Sequence, residues 1–464
     1  MAGIGFQLER MVRDGGVGGF VGATLDGAVL SSGPWITTIG AVLLLQIWLG
    51  HHVPASSEVV LTVMIYAFSA SVVIASPCAL VGVRIAAGRM FDNDRDAVPG
   101  ILILTLCAAT GAALVAGHVL FGVLSHHAPG TVLLATAIVV LLTQISVTGP
   151  FLTAVRRPWP VLLGYLGGIA AAAVALTAVR MRGETGVLAA VAIGMGVTLI
   201  LILAAFAGEF PASAPPRQAV RDMTVPTLHV AVVGLMNALA LWIDKWLLWF
   251  APDSIATVDR LRVNPIYDQA SFAGLLTLIP GLSLMLFLSE TRLERAFLRL
   301  VHCCTGTAKL SRIEDAQREV VTTIVQNLRL LVVTQTVFCA ICWVLAPELF
   351  AALGFDARGI FAFRFTVLGV IFHIVAIYAG VVLSYYDLFG RIGLAWAAFF
   401  VVSAAATLIS WHSGFVGYGL GYLLGAAAGA TVALVLMTTA SADIVYLLFV
   451  GNNPSVVGER RYLV

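Results

Sequence analysis

The chain has 464 residues, of which 60% are hydrophobic and 11% charged, and its mean hydropathy is +0.99. Soluble domains carry about 25% charged and about 45–50% apolar residues, so a soluble globular protein is excluded. The formal net charge of +2 is too small to suggest nucleic-acid binding. Length is instead absorbed by membrane spans of about 20 residues each, which implies an all-α polytopic membrane protein with about twelve transmembrane helices.

In chain order, Arg10, Arg13 and Asp14 precede an apolar run too long for a cleavable signal and followed by further spans. Spans are expected near 26–49, 59–83, 99–124, 131–154, 159–180 and 187–208. In the first, Pro34 of the SSGPW run follows Gly33, breaks the helix and frees the Leu30 carbonyl, which Ser31 and Ser32 can help to re-satisfy. In the second, Pro77 removes a donor and crowds the Val73 carbonyl. Such a kink in lipid has to face protein or a wet cavity, unless it is an ordinary bend. Gln144 in the fourth span reads either as interhelical glue or as a substrate contact. The tight break at 155–158 predicts a hairpin. A polar, Pro-rich connection, EFPASAPPRQAVRDMTVP at 209–226, then closes an N-terminal six-helix lobe at 1–208.

The second set of spans is expected near 227–250, 270–289, 327–350, 364–387, 392–411 and 415–438, within a C-terminal lobe at 227–464. Both sets begin on the same membrane side, so any repeat is parallel, about an axis along the membrane normal. The seventh span carries Asn237 and then the run LWIDKWLLWF. Asp244 and Lys245 stand roughly 9 Å below its outer end at ~1.5 Å per residue. Lys245 can snorkel outward among Trp242, Trp246 and Trp249, whose helical spacing resembles an interfacial aromatic belt. Neighbours at i and i+1 do not face each other on a helix, so Lys245 is not the expected partner of Asp244. Asp244 then has two readings. It lines a transport path or couples to an ion, or it forms a structural ion pair with another span.

Pro280 in the eighth span matches Pro77 in the second, with Leu276 as the crowded carbonyl. The segment 290–326 is the only sizeable non-membrane element. Leu293, Phe297, Leu300 and Cys304 share one helical face, and Arg292, Arg295 and Arg299 share the other. Gly306 ends that helix, and Ser311 with Glu314 has capping-box spacing for a second helix leading into the ninth span. This elbow lies on anionic headgroups or docks a cytoplasmic partner. Gln335 and His373 are further polar positions within spans. Tyr385, Tyr386 and Asp387 end the tenth span. They are a ring-plus-carboxylate combination suited to a sugar, and equally an aromatic belt. A second hairpin is expected at 388–391.

Positive charge orients these elements. With the N-terminus inside, 19 Lys and Arg residues fall on the cytoplasmic side and six on the outer side, which places both termini in the cytoplasm. Cys339 and Cys342, the only CxxC spacing, read as small apolar residues of a span because no second Cys/His cluster accompanies them. No Walker A loop, HExxH or GxSxG motif occurs, so an ATP-driven pump or a self-contained glycosyltransferase is not expected, and neither is a cofactor or metal.

Two runs are more particular: MAGIGFQLERMV at the N-terminus and VLSSGPW at 29–35. They resemble the PelG family, the inner-membrane component of bacterial Pel exopolysaccharide machinery, with Gln7 standing where that opening is expected to have Glu. The family looks like a divergent branch of the multidrug/oligosaccharidyl-lipid/polysaccharide (MOP) exporter superfamily. The resemblance implies two six-helix lobes around a cavity that opens alternately to each side, and no enzyme activity. It implies a partly deacetylated, cationic amino-sugar polymer as substrate. It also implies a cytoplasmic glycosyltransferase (synthase) and membrane-anchored scaffold subunits, one sensing cyclic di-GMP, as partners.

Three rivals remain. A flippase for lipid-linked oligosaccharide needs an intramembrane cationic cluster, and Lys245 stands by itself. A cation antiporter of the same fold suits Asp244. A membrane-embedded acyltransferase or ligase would have to use His51 with His52 or His126 with His127, which lie in short outer loops.

Overall fold

The computed structural model describes residues 45, 48–125, 127–154, 159–181, 183–211, 225–256 and 261–451. Among these, 11 helical runs are long and apolar enough to cross a bilayer. They correspond one for one to the second through twelfth expected spans. The first span, with Gly33 and Pro34, lies almost wholly outside the described residues, as does most of the 209–226 connection.

Contacts divide the chain into two units, one running to Trp242 and including Ser254–Asn264, the other comprising Ile243–Asp253 and Pro265 onward. The first contains α1 (Pro54–Phe91), α2 (Ala97–His118, continuing as a π-helical turn Val119–Leu124), α3 (Pro129–Ala154), α4 (Trp159–Thr177) and α5 (Gly183–Glu209). Most of α6 (Val225–Leu248) belongs to it as well. Helix α4 packs on α5, α3 on α5, and both α1 and α2 on α3. Its core gathers Val98, Ile101, Phe151, Ile202 and Phe206. Buried hydroxyls return to the carbonyl one turn back, as in Thr105 to Ile101 (2.8 Å), Thr143 to Val139 (2.7 Å) and Thr198 to Gly194 (3.1 Å). Without water, this local closure is the least costly way to carry a polar group.

Pro77 sits inside α1, which remains a continuous helix. Gly234 of α6 rests on it so closely that an added Cβ would stand 2.9 Å from the proline nitrogen, and Ser76 Oγ donates to the Gly234 carbonyl at 2.8 Å. The bend therefore faces protein. A short antiparallel hairpin, β1 (Ile255–Ala256) and β2 (Arg262–Val263), completes the unit. The Tyr66 hydroxyl ties it down, donating to the Arg262 carbonyl at 2.8 Å and accepting from its amide at 3.2 Å.

The second unit holds α7 (Pro265–Leu276), α8 (Ile279–Leu288, followed by a π-helical turn Ser289–Leu293), α9 (Glu294–Thr305) and α10 (Leu310–Val344). There follow α11 (Ala346–Leu353), α12 (Ile360–Tyr385), α13 (Phe389–Ser410) and α14 (Leu420–Ala442). The neighbour pattern of the first unit returns here: α13 packs on α14, α12 on α14, and α7 and α10 on α12. Small residues allow the tightest pairings in both units. A Cβ on Gly164 would lie 2.9 Å from Ile202 Cγ1, and one on Gly425 would lie 2.6 Å from Ser403 Cβ and 2.9 Å from the Phe399 carbonyl. Lipid supplies no hydrophobic drive between helices, so such close approach supplies much of their attraction.

Two local expectations are corrected. Pro280 does not kink a continuous eighth span. The helix breaks at Thr277–Leu278, and Pro280 lies in the first turn of α8, where its missing N–H costs nothing. Gln335 Nε2 bonds the Thr277 carbonyl at this break, at 2.7 Å. The capping box at Ser311 and Glu314 does not form either. The N-cap of α10 is Lys309, so Ser311 already lies inside a helix that runs unbroken from the elbow into the ninth span. Of the elbow's expected apolar face, Leu293 and Leu300 are buried and Phe297 and Cys304 half-buried, while Arg292, Arg295 and Arg299 are exposed.

Candidate functional site

The buried Asp, Glu, Lys and Arg side chains among the described residues are Asp244, Lys245 and Asp268, and all three belong to the second unit. Charge within a membrane span is costly and concentrates where it has a role, which makes this cluster the candidate site.

Asp244 and Lys245 end α6, each 1% exposed. Contrary to the expectation from helical geometry, they pair with each other. Lys245 Nζ stands 3.3 Å from Asp244 Oδ1, and the Lys245 amide donates to the same oxygen at 2.8 Å. The carboxylate bends along the helix and the four-carbon lysine stem folds back to meet it. Adjacent Cβ directions diverge, but a flexible ammonium denied water closes on the nearest anion. Tyr267 of α7 donates its hydroxyl to Asp244 Oδ2, and its ring faces Lys245 Nζ at 5.7 Å. Both carboxylate oxygens are thus engaged. Lys245 is buried and does not snorkel, and of the three tryptophans Trp246 is half-buried. Trp242 and Trp249 are buried, and Trp242 packs edge-on against Phe68 in the first unit.

Asp268 was not anticipated. The eighth span was expected to start at 270, whereas α7 begins at Pro265 and carries Asp268 in its first turn. The signal was present in the sequence: proline at a helix start with an acid in the first turn marks an N-terminus. Asp268 is buried, and the Trp249 indole N–H is shared between its two oxygens at 3.2 and 3.1 Å. Nearby, Tyr418 donates to Asp253 Oδ2 at 2.9 Å and meets the Tyr267 ring edge-on at 6.2 Å. Deeper in α12, His373 is buried among Trp396, Phe399 and Tyr422, with Nδ1 2.7 Å from the Tyr422 hydroxyl. The result is an aromatic-walled polar core with two carboxylates and one amine. Among the described residues, no group of three or more His, Cys, Asp or Glu side chains is placed to hold a metal ion.

The other expected positions scatter. Gln144 Nε2 bonds Thr110 Oγ1 on α2, as interhelical glue would. Asn237 is half-buried in α6. Tyr385 and Tyr386 close on Phe297 of α9, with ring centroids 5.4 and 6.1 Å away. Asp387 is exposed in the turn after α12, with φ of 62°. This cluster belongs to the end of the unit opposite the α6–α7 connection, so the tyrosines and Asp244 are not one site.

Comparison with known proteins adds family and fold. The PelG family model, described as an exopolysaccharide exporter (EPS-E), matches residues 1–449. A search of curated protein sequences finds no match. Among solved structures, the outward-facing conformation of a multidrug resistance MATE family transporter of the MOP superfamily superposes with a TM-score of 0.64 at 13% identity, covering 90% of this chain and 96% of that one. The inward-facing conformation of such a transporter gives 0.60 at 13% identity, with 90% and 94% covered. A MOP superfamily transporter from Pyrococcus furiosus, noted for the reverse polarity of its binding pocket, gives 0.62 at 13% identity, with 91% and 96% covered.

Proposed function

The chain belongs to the PelG family of exopolysaccharide exporters, and from that premise we propose that it carries a cationic amino-sugar polymer outward across the bacterial cytoplasmic membrane. It is a multi-pass membrane transporter with the MOP fold, and not an enzyme. The observation that supports a cationic cargo is the acid excess among the buried side chains of the described residues, two carboxylates (Asp244 and Asp268) against one amine (Lys245). A path through low dielectric favours the charge sign opposite to its fixed groups. Asp244 is engaged by Lys245 and Tyr267 and acts chiefly as scaffold, whereas Asp268, which accepts from the Trp249 indole N–H, is the residue assigned to the passing charge.

In this reading a cytoplasmic synthase feeds the polymer, with scaffold subunits, one sensing cyclic di-GMP, alongside it. The exposed Arg292 of the π-helical turn and Arg295 and Arg299 of α9 offer the synthase a basic face. The test is uptake of a fluorescent glucosamine hexamer into inverted vesicles containing the purified protein, with the N-acetylated hexamer as comparison. The cationic hexamer is expected to enter at least several-fold faster. No uptake of either overturns export, and equal uptake overturns the cationic preference.

A further inference from the structure

Helices α7 and α8 belong to one apolar run, Pro265–Thr305, whose backbone changes register partway along. The Thr277 amide bonds the Gly274 carbonyl at 3.1 Å, and the Leu278 amide bonds the Leu275 carbonyl at 3.0 Å. Both bonds reach three residues back rather than four. The α-helical spacing resumes with the Leu282 amide, which meets the Leu278 carbonyl at 3.0 Å. Leu278 keeps right-handed helical angles, so no strained residue forces the change. A tight turn of this kind within a long helix recurs at hinges.

The hydrogen bonds at this turn have two solutions. In a continuous helix the Gly281 N–H would bond the Thr277 carbonyl. Here α8 starts only at Ile279, and Gln335 Nε2 of α10 takes that place at 2.7 Å. The same nitrogen donates to Cys339 Sγ at 3.1 Å, while Gln335 Oε1, in a residue 0% exposed, has no hydrogen-bond partner. An orphaned buried oxygen is costly and calls for an explanation. It lies against Gly281, where an added Cβ would overlap it. Straightening the run would return the Thr277 carbonyl to the Gly281 N–H and free the Gln335 amide to rotate, so that Oε1 accepts from the Cys339 thiol. It would also set the Leu276 carbonyl opposite Pro280, which has no N–H to give. Each arrangement leaves one acceptor unmet, which keeps the two close in energy.

We propose that this turn is a hinge of the transport cycle and that Gln335 is its latch. On one side of it, α7 carries Tyr267 and Asp268 of the polar core. On the other, α8 runs through its π-helical turn into the arginine-bearing α9. A change of register between them alters the tilt of α7 against α9, so a charge engaged at Asp268 is felt at the elbow. The element has two discrete hydrogen-bond arrangements, which is what a switching helix requires. The hinge rests on the export reading, because without transport there is no cycle for it to serve.

The test is vesicle uptake of the glucosamine hexamer per folded protein, measured alongside Tm. Gln335→Leu removes the latch and nearly keeps the side-chain size. It should cut uptake several-fold at near-wild-type Tm, because the Gly281 N–H covers the Thr277 carbonyl in its place. A glutamine that only ties α10 to the break would instead lower Tm and leave uptake per folded protein unchanged, which overturns the latch. Thr277→Cys supplies a lock, since the Thr277 hydroxyl stands 4.0 Å from Cys339 Sγ. The reduced variant should transport like wild type. After oxidation with copper phenanthroline, once mass spectrometry shows the new thiol joined to Cys339, uptake should stop and return on reduction. Wild-type uptake by the disulfide-linked protein overturns the hinge and leaves export standing. If wild type itself takes up no hexamer, export and the hinge fall together.

Discussion

The two units share a frame and differ in what they bury. The pairs α4–α5 and α13–α14 pack on small residues, and α3 in the first unit and α12 in the second gather their neighbours in the same order. The first unit buries hydroxyls that bond their own helices, such as Thr105, Thr143 and Thr198. The second buries Asp244, Lys245, Asp268 and His373, linked by tyrosine and tryptophan side chains. Helix pairing in lipid needs only close-packed small residues and locally satisfied backbone, so a repeated frame can be kept cheaply. Buried charge has no such excuse. Its confinement to one unit, among the described residues, indicates that the two halves have divided scaffolding from chemistry.

The largest test of that contrast is the ion pair. Lys245→Met leaves Asp244 buried without its amine, and removing one partner of a buried pair typically costs about 3–5 kcal/mol. Yield and Tm in detergent should fall sharply, and the double variant Asp244→Asn with Lys245→Met should recover most of the loss. A double variant no more stable than the single would show that the pair is not what Lys245 serves. Asp244→Asn by itself should lose stability together with export. Normal abundance with export lost would return Asp244 to the transport path.

A smaller effect probes the shared frame. Gly164→Val in α4 and Gly425→Val in α14 each push a branched side chain into the partner helix, and overpacking costs about 1–3 kcal/mol. The two changes should lower Tm by similar amounts if the pairings are equivalent. A loss confined to one unit would break the equivalence.

The smallest effect lies at an exposed turn of the second unit. Arg358 donates from Nε to Asp356 Oδ1 at 3.2 Å and from Nη2 to Oδ2 at 2.6 Å, and holds its pKa below the ordinary 3.8. A depressed carboxylate pKa stabilises above the unfolded value and loses that contribution as pH falls through the folded one. Asp356→Asn should therefore cost little at neutral pH, as exposed, solvent-screened pairs do. The difference between wild type and variant should start to shrink as pH falls below the ordinary 3.8 and vanish only below the depressed folded value; a difference that persists there would assign the residue another role.

The spans were legible in the sequence because the bilayer imposes a length and an apolar composition on each segment, whatever it packs against. The elbow was legible for the same local reason, since Leu293 and Leu300 alternate with Arg292 and Arg299 at helical spacing. What a proline does to a span was only half legible. Pro77 and Pro280 carry the same backbone defect, yet one helix passes through it and the other restarts. Gly234 rests on the first bend, and Gln335 bonds the carbonyl at the second break.

Asp244 and Asp268 show the limit most plainly. The sequence by itself placed Asp244 inside a span and so marked it as costly. Its partner was decided by the tertiary structure, because burial by α7 and the ring of Tyr267 removed the water into which Lys245 would otherwise have reached. Asp268 escaped notice because a helix start is marked by a weak local signal, while its burial depends on Trp249, 19 residues away in the chain. Hydropathy is a property of each segment, whereas the partner of a buried charge is a property of whichever segments the fold brings beside it.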